Sequence, residues 1–336
     1  MHNLFLKRVQ GIVDACSLQK ADIDEIADHE DAYVNPWSVS TINDLLTKMD
    51  HQIRKYEGYH MNTKVFSKKV PLSSLRNSSR NKVIELGGVK YQIKGCSGKG
   101  AFAQVFKAHM DSNPDDVVAL KIQSPAFPWE FYMYRQLDKR IPDDQRSSFG
   151  FACKAHIYAD CSILVCDYVD HGTLQDVINS YLVIGQTMEE VICIYYTIEM
   201  LRILETLHNV GIIHGDFKSD NLLVRYTRDD LSEDGFHGQV GSWRDQVIYY
   251  GLCLVDWGRG IDLTLFPNGT EFKGDCRTSC FRCVEMQENR PWKFQVDTYG
   301  LCVIVHMMLH GTYMTIDKKV AQDGSYLYEP KSPLKR

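Results

Sequence analysis

Residues 191–224 read VICIYYTIEMLRILETLHNVGIIHGDFKSDNLLV. The first twenty are apolar on every side of a helical projection, which predicts a helix buried all round. The run that follows it, HGDFKSDN from His214 to Asn221, is polar and gathers Asp216, Lys218 and Asn221 directly behind that helix. Further on, VDWG from Val255 to Gly258 adds Asp256. Phosphoryl transfer needs a carboxylate to accept a hydroxyl proton, oxygens to hold a metal, and a cation near the transferred group. Asp216, the pair Asn221 and Asp256, and Lys218 supply those parts in that order. Any one of these acids alone reads as a turn former or a helix cap; their order behind a buried helix is what carries weight.

Upstream, the pattern is of strands. KVIEL (82–86), VKYQIKGC (89–96), AQVFKAHM (103–110) and VVALKIQ (117–123) form an antiparallel meander, with turn material at Asp111 to Asp116. WEFYMYRQLDKRI after Pro128 reads as one helix, and FACKAHIYA and CSILVCDYV as two more strands. Strands first and helices afterwards imply an α+β chain with two lobes. The expected division is an N-terminal extension and linker over 1–81, a sheet lobe and hinge over 82–170, and a helical lobe over 171–336. Within the extension, helical periodicity around Asn43 to Tyr56 gives way to the polar LSSLRNSSRN. In GKGAFAQV, Gly98 and Gly100 sit at a turn between strands, where missing side chains let backbone N–H groups approach phosphates. Lys121 ends the next strand, placed to reach phosphate as a point charge. Glu130, in the following helix, is a candidate ion-pair partner for it, although the nine residues between them make a short separation. The polar stretch from Arg225 to Gln246 reads as a surface insertion.

The 336 residues carry a net charge of −5 without long blocks of one sign, which argues against nucleic acid or a membrane surface as the main partner. No apolar run approaches the ~20 residues of a spanning helix, and the N-terminus lacks the pattern of a signal peptide. Eleven scattered cysteines fit a reducing, intracellular setting. Cys276, Cys280 and Cys283 cluster, but a fourth ligand with zinc spacing is not evident, so they read as free thiols.

The ordered set of glycine-rich turn, strand lysine, HGDFKSDN and VDWG resembles the protein-kinase signature. It departs from the usual His-Arg-Asp in having Gly215 in place of the arginine. More narrowly, AFPWEFYMYRQL, HGDFKSDN, CVEMQENRPWKFQVDTYG and HGTYM resemble the Bub family of mitotic spindle-checkpoint kinases, over roughly residues 85 to 330. The resemblance implies a bilobal kinase-like fold, a small antiparallel-sheet N-lobe and a mainly helical C-lobe, with an N-terminal extension. It implies MgATP as co-substrate, with Gly98 and Gly100 over the phosphates and Val105, Ala119, Lys121, Asp167 and Val169 about the nucleotide. Cys166 would lie at the back of the adenine pocket, and the backbone of Asp167 to Val169 would form the hinge. Asp216, Lys218, Lys121 and Glu130 would be catalytic, and Asn221 and Asp256 would hold Mg²⁺. Glu285 takes the position of the glutamate that ends the activation segment, and Asp297 starts the next buried helix.

The resemblance further implies protein substrates, histone among the candidates, checkpoint and kinetochore partners, and a place in the nucleus at kinetochores, with the cytoplasm as the default otherwise. Two rival functions are a small-molecule phosphotransferase, opposed by Lys218 and by the CVEM segment, and an inactive checkpoint scaffold with a pseudokinase fold. Without the loop arginine, Thr270 or Thr278 would lack the standard phosphate receptor, leaving Arg259, Arg277 and Arg282. The helical lobe stops short of the usual kinase length, so the helix from Asp297 to Leu309 is expected to expose part of an apolar face.

Overall fold

The computed structural model describes residues 33–66, 82–100, 103–225, 251–276, 278–322, 324 and 326–331. The LSSLRNSSRN linker, Arg277 and the insertion beyond Arg225 lie outside those residues. Contacts divide the chain into two units, one spanning 38–172 and 223–265, the other 1–37, 173–222 and 266–336.

In the first unit, α1 (Val39–Ile53) begins where the Ser38 hydroxyl accepts the Thr41 N–H at 3.1 Å, an N-cap that satisfies an otherwise orphaned donor. It buries Leu45, Met49 and Ile53, spaced four apart along one face. Seven strands then make one sheet in the order β1-β6-β7-β5-β4-β3-β2: β1 Tyr59–Met61, β2 Lys82–Leu86, β3 Val89–Lys99, β4 Ala103–Met110, β5 Val117–Gln123, β6 Ala152–Ile157 and β7 Ser162–Asp167. The sequence meander is present, but the sheet is not wholly antiparallel: β1, contributed by the N-terminal extension, pairs parallel with β6, Tyr59 opposite Ala155 and Met61 opposite Ile157. Alternate residues Ile84 and Leu86, Tyr91 and Ile93, Phe106 and Ala108 point to one buried face with Leu120, Ile163 and Val165.

Helix α2 (Trp129–Arg140) starts after Pro128, whose missing N–H costs nothing at a helix start. Its first nine residues are buried except for Arg135, so the helix is enclosed rather than laid on a surface.

In the second unit, α3 (Leu174–Val183) is entered through a capping box between Thr173 and Asp176. Helices α4 (Glu190–Asn209) and α5 (Gln295–His310) follow. The expectation that α4 is buried all round is corrected. Cys193, Tyr196, Met200, Ile203 and Leu207 are buried, but Val191, Ile194, Ile198 and Leu201 are exposed, so its apolar content exceeds the face that packing uses. Helix α5 shows the opposite departure. Val303, Ile304, Met307 and Met308 are buried, and the residues that meet solvent fully are Gln295, Thr298 and Cys302 on one narrow line, so no broad apolar face is left open. In the same unit Val34 bridges to Phe272, and Trp37 stacks on Trp292 with ring centroids 4.9 Å apart. A hairpin of Ile316–Val320 and Tyr326–Pro330 follows α5.

Candidate active site

The strands of the first unit bring several expected residues to one face by register alone. Val105 lies opposite Lys121, and Gly98 opposite Val105. Ala119, two residues before Lys121, lies opposite Cys166. Directly paired residues and residues two apart share a side of a sheet, so Gly98, Val105, Ala119, Lys121 and Cys166 form one surface. Asp167, the next residue, points its side chain the other way, and its N–H is taken, donating to Phe151 O at 3.1 Å. Gly98 is inside β3 rather than in the turn. Gly100, at the end of the strand, donates to Ala103 O at 2.8 Å, and residues 101–102 lie outside the described chain.

On that face the Lys121 ammonium lies 2.8 Å from Glu130 and 2.7 Å from Asp256. Glu130 is in the first turn of the enclosed helix α2, and its Oε1 also accepts the Trp257 N–H at 3.3 Å. The nine-residue separation of Lys121 and Glu130 therefore suffices, because Pro128 turns the chain straight into the helix. Asp256 has φ +69°, a left-handed conformation that costs a non-glycine residue energy and is typical of functional positions. Burial opposes the charge on Lys121, but the two carboxylates outweigh it and hold the ammonium protonated. Burial pushes the Glu130 carboxyl up, against the pull of Lys121 and helped by the negative charge of Asp256. Two carboxylates flank one cation, and Asp256 remains 45% exposed. This local surplus of negative charge on hard oxygen donors fits a divalent cation such as Mg²⁺.

The second unit holds the other group. Gly215 has φ +76°, a conformation open to glycine at no steric cost, which gives a local reason for the absence of arginine. The loop is fastened by Asp297, fully buried at the start of α5. Its carboxylate accepts the N–H of His214 at 2.8 Å and of Gly215 at 2.9 Å, and lies 3.0 Å from His208 Nε2. Gly300 lets the α5 backbone come close, since a Cβ there would be 2.2 Å from Phe217 O. Asp216 is thereby presented with both oxygens engaged: Lys218 Nζ donates to Oδ2 at 2.6 Å, Asn221 Nδ2 to Oδ2 at 3.2 Å and to the Asp216 carbonyl at 2.9 Å, and Thr278 Oγ1 to Oδ1 at 3.2 Å. With its amide nitrogen turned to Asp216, Asn221 keeps its oxygen for a cation.

Thr278 is the residue whose role the sequence reading missed. Its hydroxyl orients Asp216, and a phosphate in that place would sit beside a carboxylate, so a phospho-acceptor role is disfavoured. Thr270, by contrast, closes a turn by donating to Pro267 O at 2.7 Å. Cys276 and Cys283 are buried and Cys280 is half-buried, all three as thiols. Burial pushes the Cys283 thiol up to about 12. Among the described residues there is no cluster of three or more His, Cys, Asp or Glu that would hold a metal, and no helix is long and apolar enough to cross a membrane.

A family model described as "Protein kinase domain" matches residues 150–328, more than half of the chain. This chain belongs to the protein kinase family. Among curated proteins, this kinase chain is 65% identical to the mitotic checkpoint serine/threonine-protein kinase BUB1 of Arabidopsis thaliana, over all of its own length and 63% of that protein. It is 34% identical to mouse BUB1 over 90% of its length and 27% of the relative. It therefore spans under two thirds of the curated relatives it matches. Among solved structures, the crystal structure of the BubR1 kinase domain superposes with a TM-score of 0.73 at 28% identity, covering 90% of this chain and 83% of that one. The Bub-family resemblance carried by PWEFY and HGDFKSDN is borne out, and so is the kinase fold. The protein-kinase match also weighs against the small-molecule phosphotransferase.

Proposed function

We propose that this chain is an active serine/threonine kinase that transfers the γ-phosphoryl group of MgATP to protein hydroxyls in mitotic checkpoint signalling. The observation that carries the reading is the Lys121 ammonium held between Glu130 and Asp256. Lys121 anchors the nucleotide phosphates, and Glu130 keeps it in place. The backbone at Gly98 and Gly100 covers the phosphates, with Val105, Ala119 and the backbone of Asp167 to Val169, at and just beyond the end of β7, about the base. Asp256 and the Asn221 amide oxygen would hold Mg²⁺, which when bound draws charge from the phosphates. Asp216 orients the substrate hydroxyl and takes its proton, and Lys218 offsets the charge that develops beside it. Protein substrates, kinetochore partners and a nuclear location are part of the same proposal, supported by the checkpoint names of the relatives.

Radiolabelled ATP offered with histone, a generic peptide and choline tests it, with Asp216→Asn as control. Label is expected on histone or peptide for the wild type alone. Label on choline would favour the small-molecule reading, and no label on any acceptor the inactive scaffold.

A further inference from the structure

The segment Asp256–Thr264 meets helix α2 at three places along its length. Near the helix start the Trp257 N–H reaches Glu130 Oε1 at 3.3 Å, and Trp129 Nε1 donates to Gly260 O at 2.9 Å. At its far end both oxygens of Asp262 are taken. Arg140 grips them from Nη1 and Nη2 at 2.8 and 2.5 Å, Tyr132 Oη donates to Oδ2 at 2.7 Å, and Thr264 gives its N–H at 3.0 Å and its hydroxyl at 2.7 Å to Oδ1. Asp262 is fully buried. Burial disfavours its charge, yet the bonds from Arg140, Tyr132 and Thr264 prevail and hold its carboxyl below the usual range. The guanidinium is braced in turn by Gln136 Oε1 at 2.9 Å and Thr264 Oγ1 at 3.2 Å.

The bonds to Asp262 come from Arg140, Tyr132 and Thr264, and Lys121 is not among its partners. A two-pronged arginine–carboxylate pair fixes orientation as well as distance. Arg140 is the last residue of α2 and Glu130 the second, about 15 Å apart along the helix axis, and Asp262 holds both Arg140 and Tyr132, which lies two residues from the glutamate. Helix and segment are therefore joined at both ends, and Glu130 and Asp256, which come from the two joined pieces, are held at a set separation around one lysine.

We infer that Asp262, clamped by Arg140 and Tyr132, is a positioning residue that sets the Lys121, Glu130 and Asp256 triangle and so governs nucleotide affinity. The inference rests on the kinase reading, but its test does not require phosphoryl transfer. Binding of the fluorescent analogue mant-ATP with Mg²⁺, hydrogen exchange of the 129–140 amides, and melting are compared for the full chain and for Asp262→Asn, Arg140→Lys and Tyr132→Phe. Folded Asp262→Asn is expected to bind about tenfold more weakly, with faster exchange throughout α2, and Tyr132→Phe, which loses one bond of the set, about two- to threefold more weakly.

A lowered melting point with unchanged affinity in the folded fraction would overturn the inference, because a merely structural pair moves stability alone. Should Asp262→Asn fail to fold, Tyr132→Phe decides, and wild-type affinity there overturns it. A wild type that binds mant-ATP but labels no acceptor removes the kinase reading and leaves the positioning inference standing. If the wild type does not bind the analogue, exchange decides: faster α2 exchange in Asp262→Asn supports the clamp, and unchanged exchange overturns it.

Discussion

In the sheet-bearing unit, Lys121 is kept in place by the charges of two side chains, Glu130 and Asp256. In the helical unit, Asp216 is kept in place by a loop whose backbone N–H groups run into the buried carboxylate of Asp297. The first arrangement is a set of side-chain charges that a ligand can rearrange; the second is part of the framework. A side chain held by charge can be removed with little harm to the fold, whereas the anchor of a loop supports catalysis and stability together.

The largest effect tests the first half of that contrast. Lys121→Met and Asp256→Asn are each expected to reduce phosphoryl transfer by about a thousandfold or more, with melting points near that of the wild type. Loss of Lys121 leaves Glu130 buried without its cation, but burial already favours its protonated form, so neutralisation limits the cost. Radiolabel incorporation and circular-dichroism melts measure the two quantities side by side, and unfolding of either variant breaks the contrast. Asp297→Ala tests the other half. It strands two backbone donors and His208, and the expected loss is roughly 3–5 kcal/mol of stability, read by denaturant titration, together with activity. A variant that is inactive but as stable as wild type would make the two regions alike.

A smaller effect separates orientation from anchoring within the helical unit. Thr278→Val removes one hydroxyl bond to Asp216 and is expected to lower kcat about tenfold at unchanged KM for ATP, whereas Thr278→Ser restores it. Smaller still is a pH effect confined to the sheet unit. Burial, with His60 and Lys154 adding like charge, lowers the His156 pKa to about 4. Between that value and the unfolded value near 6.5, the unfolded chain binds the extra proton, so stability falls as pH drops through this window. The total is about 3 kcal/mol at most. His156→Phe should flatten the slope of stability against pH over this range, and an unchanged slope would assign it to other groups.

Much of this was legible because simple periods coincide with chemistry. KVIEL and AQVFKAHM alternate as half-buried strands must, and VVALKIQ is a strand although its apolar residues run together; Lys121, expected at its end, stands two residues before it. HGDFKSDN announced its acids by their order. What escaped was long-range and short in sequence. Asp297 was visible as the start of a helix, but nothing local says that its carboxylate turns back to backbone more than eighty residues earlier. Thr278 stood out only as a candidate phosphate acceptor, and nothing local says that its hydroxyl reaches Asp216, 62 residues earlier. The Asp262 clamp joins residues some 120 apart, for which no period exists. On α4 the apolar pattern misled, since periodicity reports which residues can be buried and not which partners are available.

The parallel strand Tyr59–Met61 has a consequence for solubility. It takes up β6 over Ala155–Ile157, with Ala155 N donating to Gly58 O at 2.8 Å and Asn62 N donating to Ile157 O at 2.7 Å. Without it, that row of amides would be open to the strand of any passing chain, and open edges are where sheets recruit one another into aggregates. At three residues, β1 is itself too short to serve as a good template in its turn. The segment ahead of the sheet thus acts as a stopper against self-association, and a chain trimmed to begin at Lys82 should be soluble only at dilution.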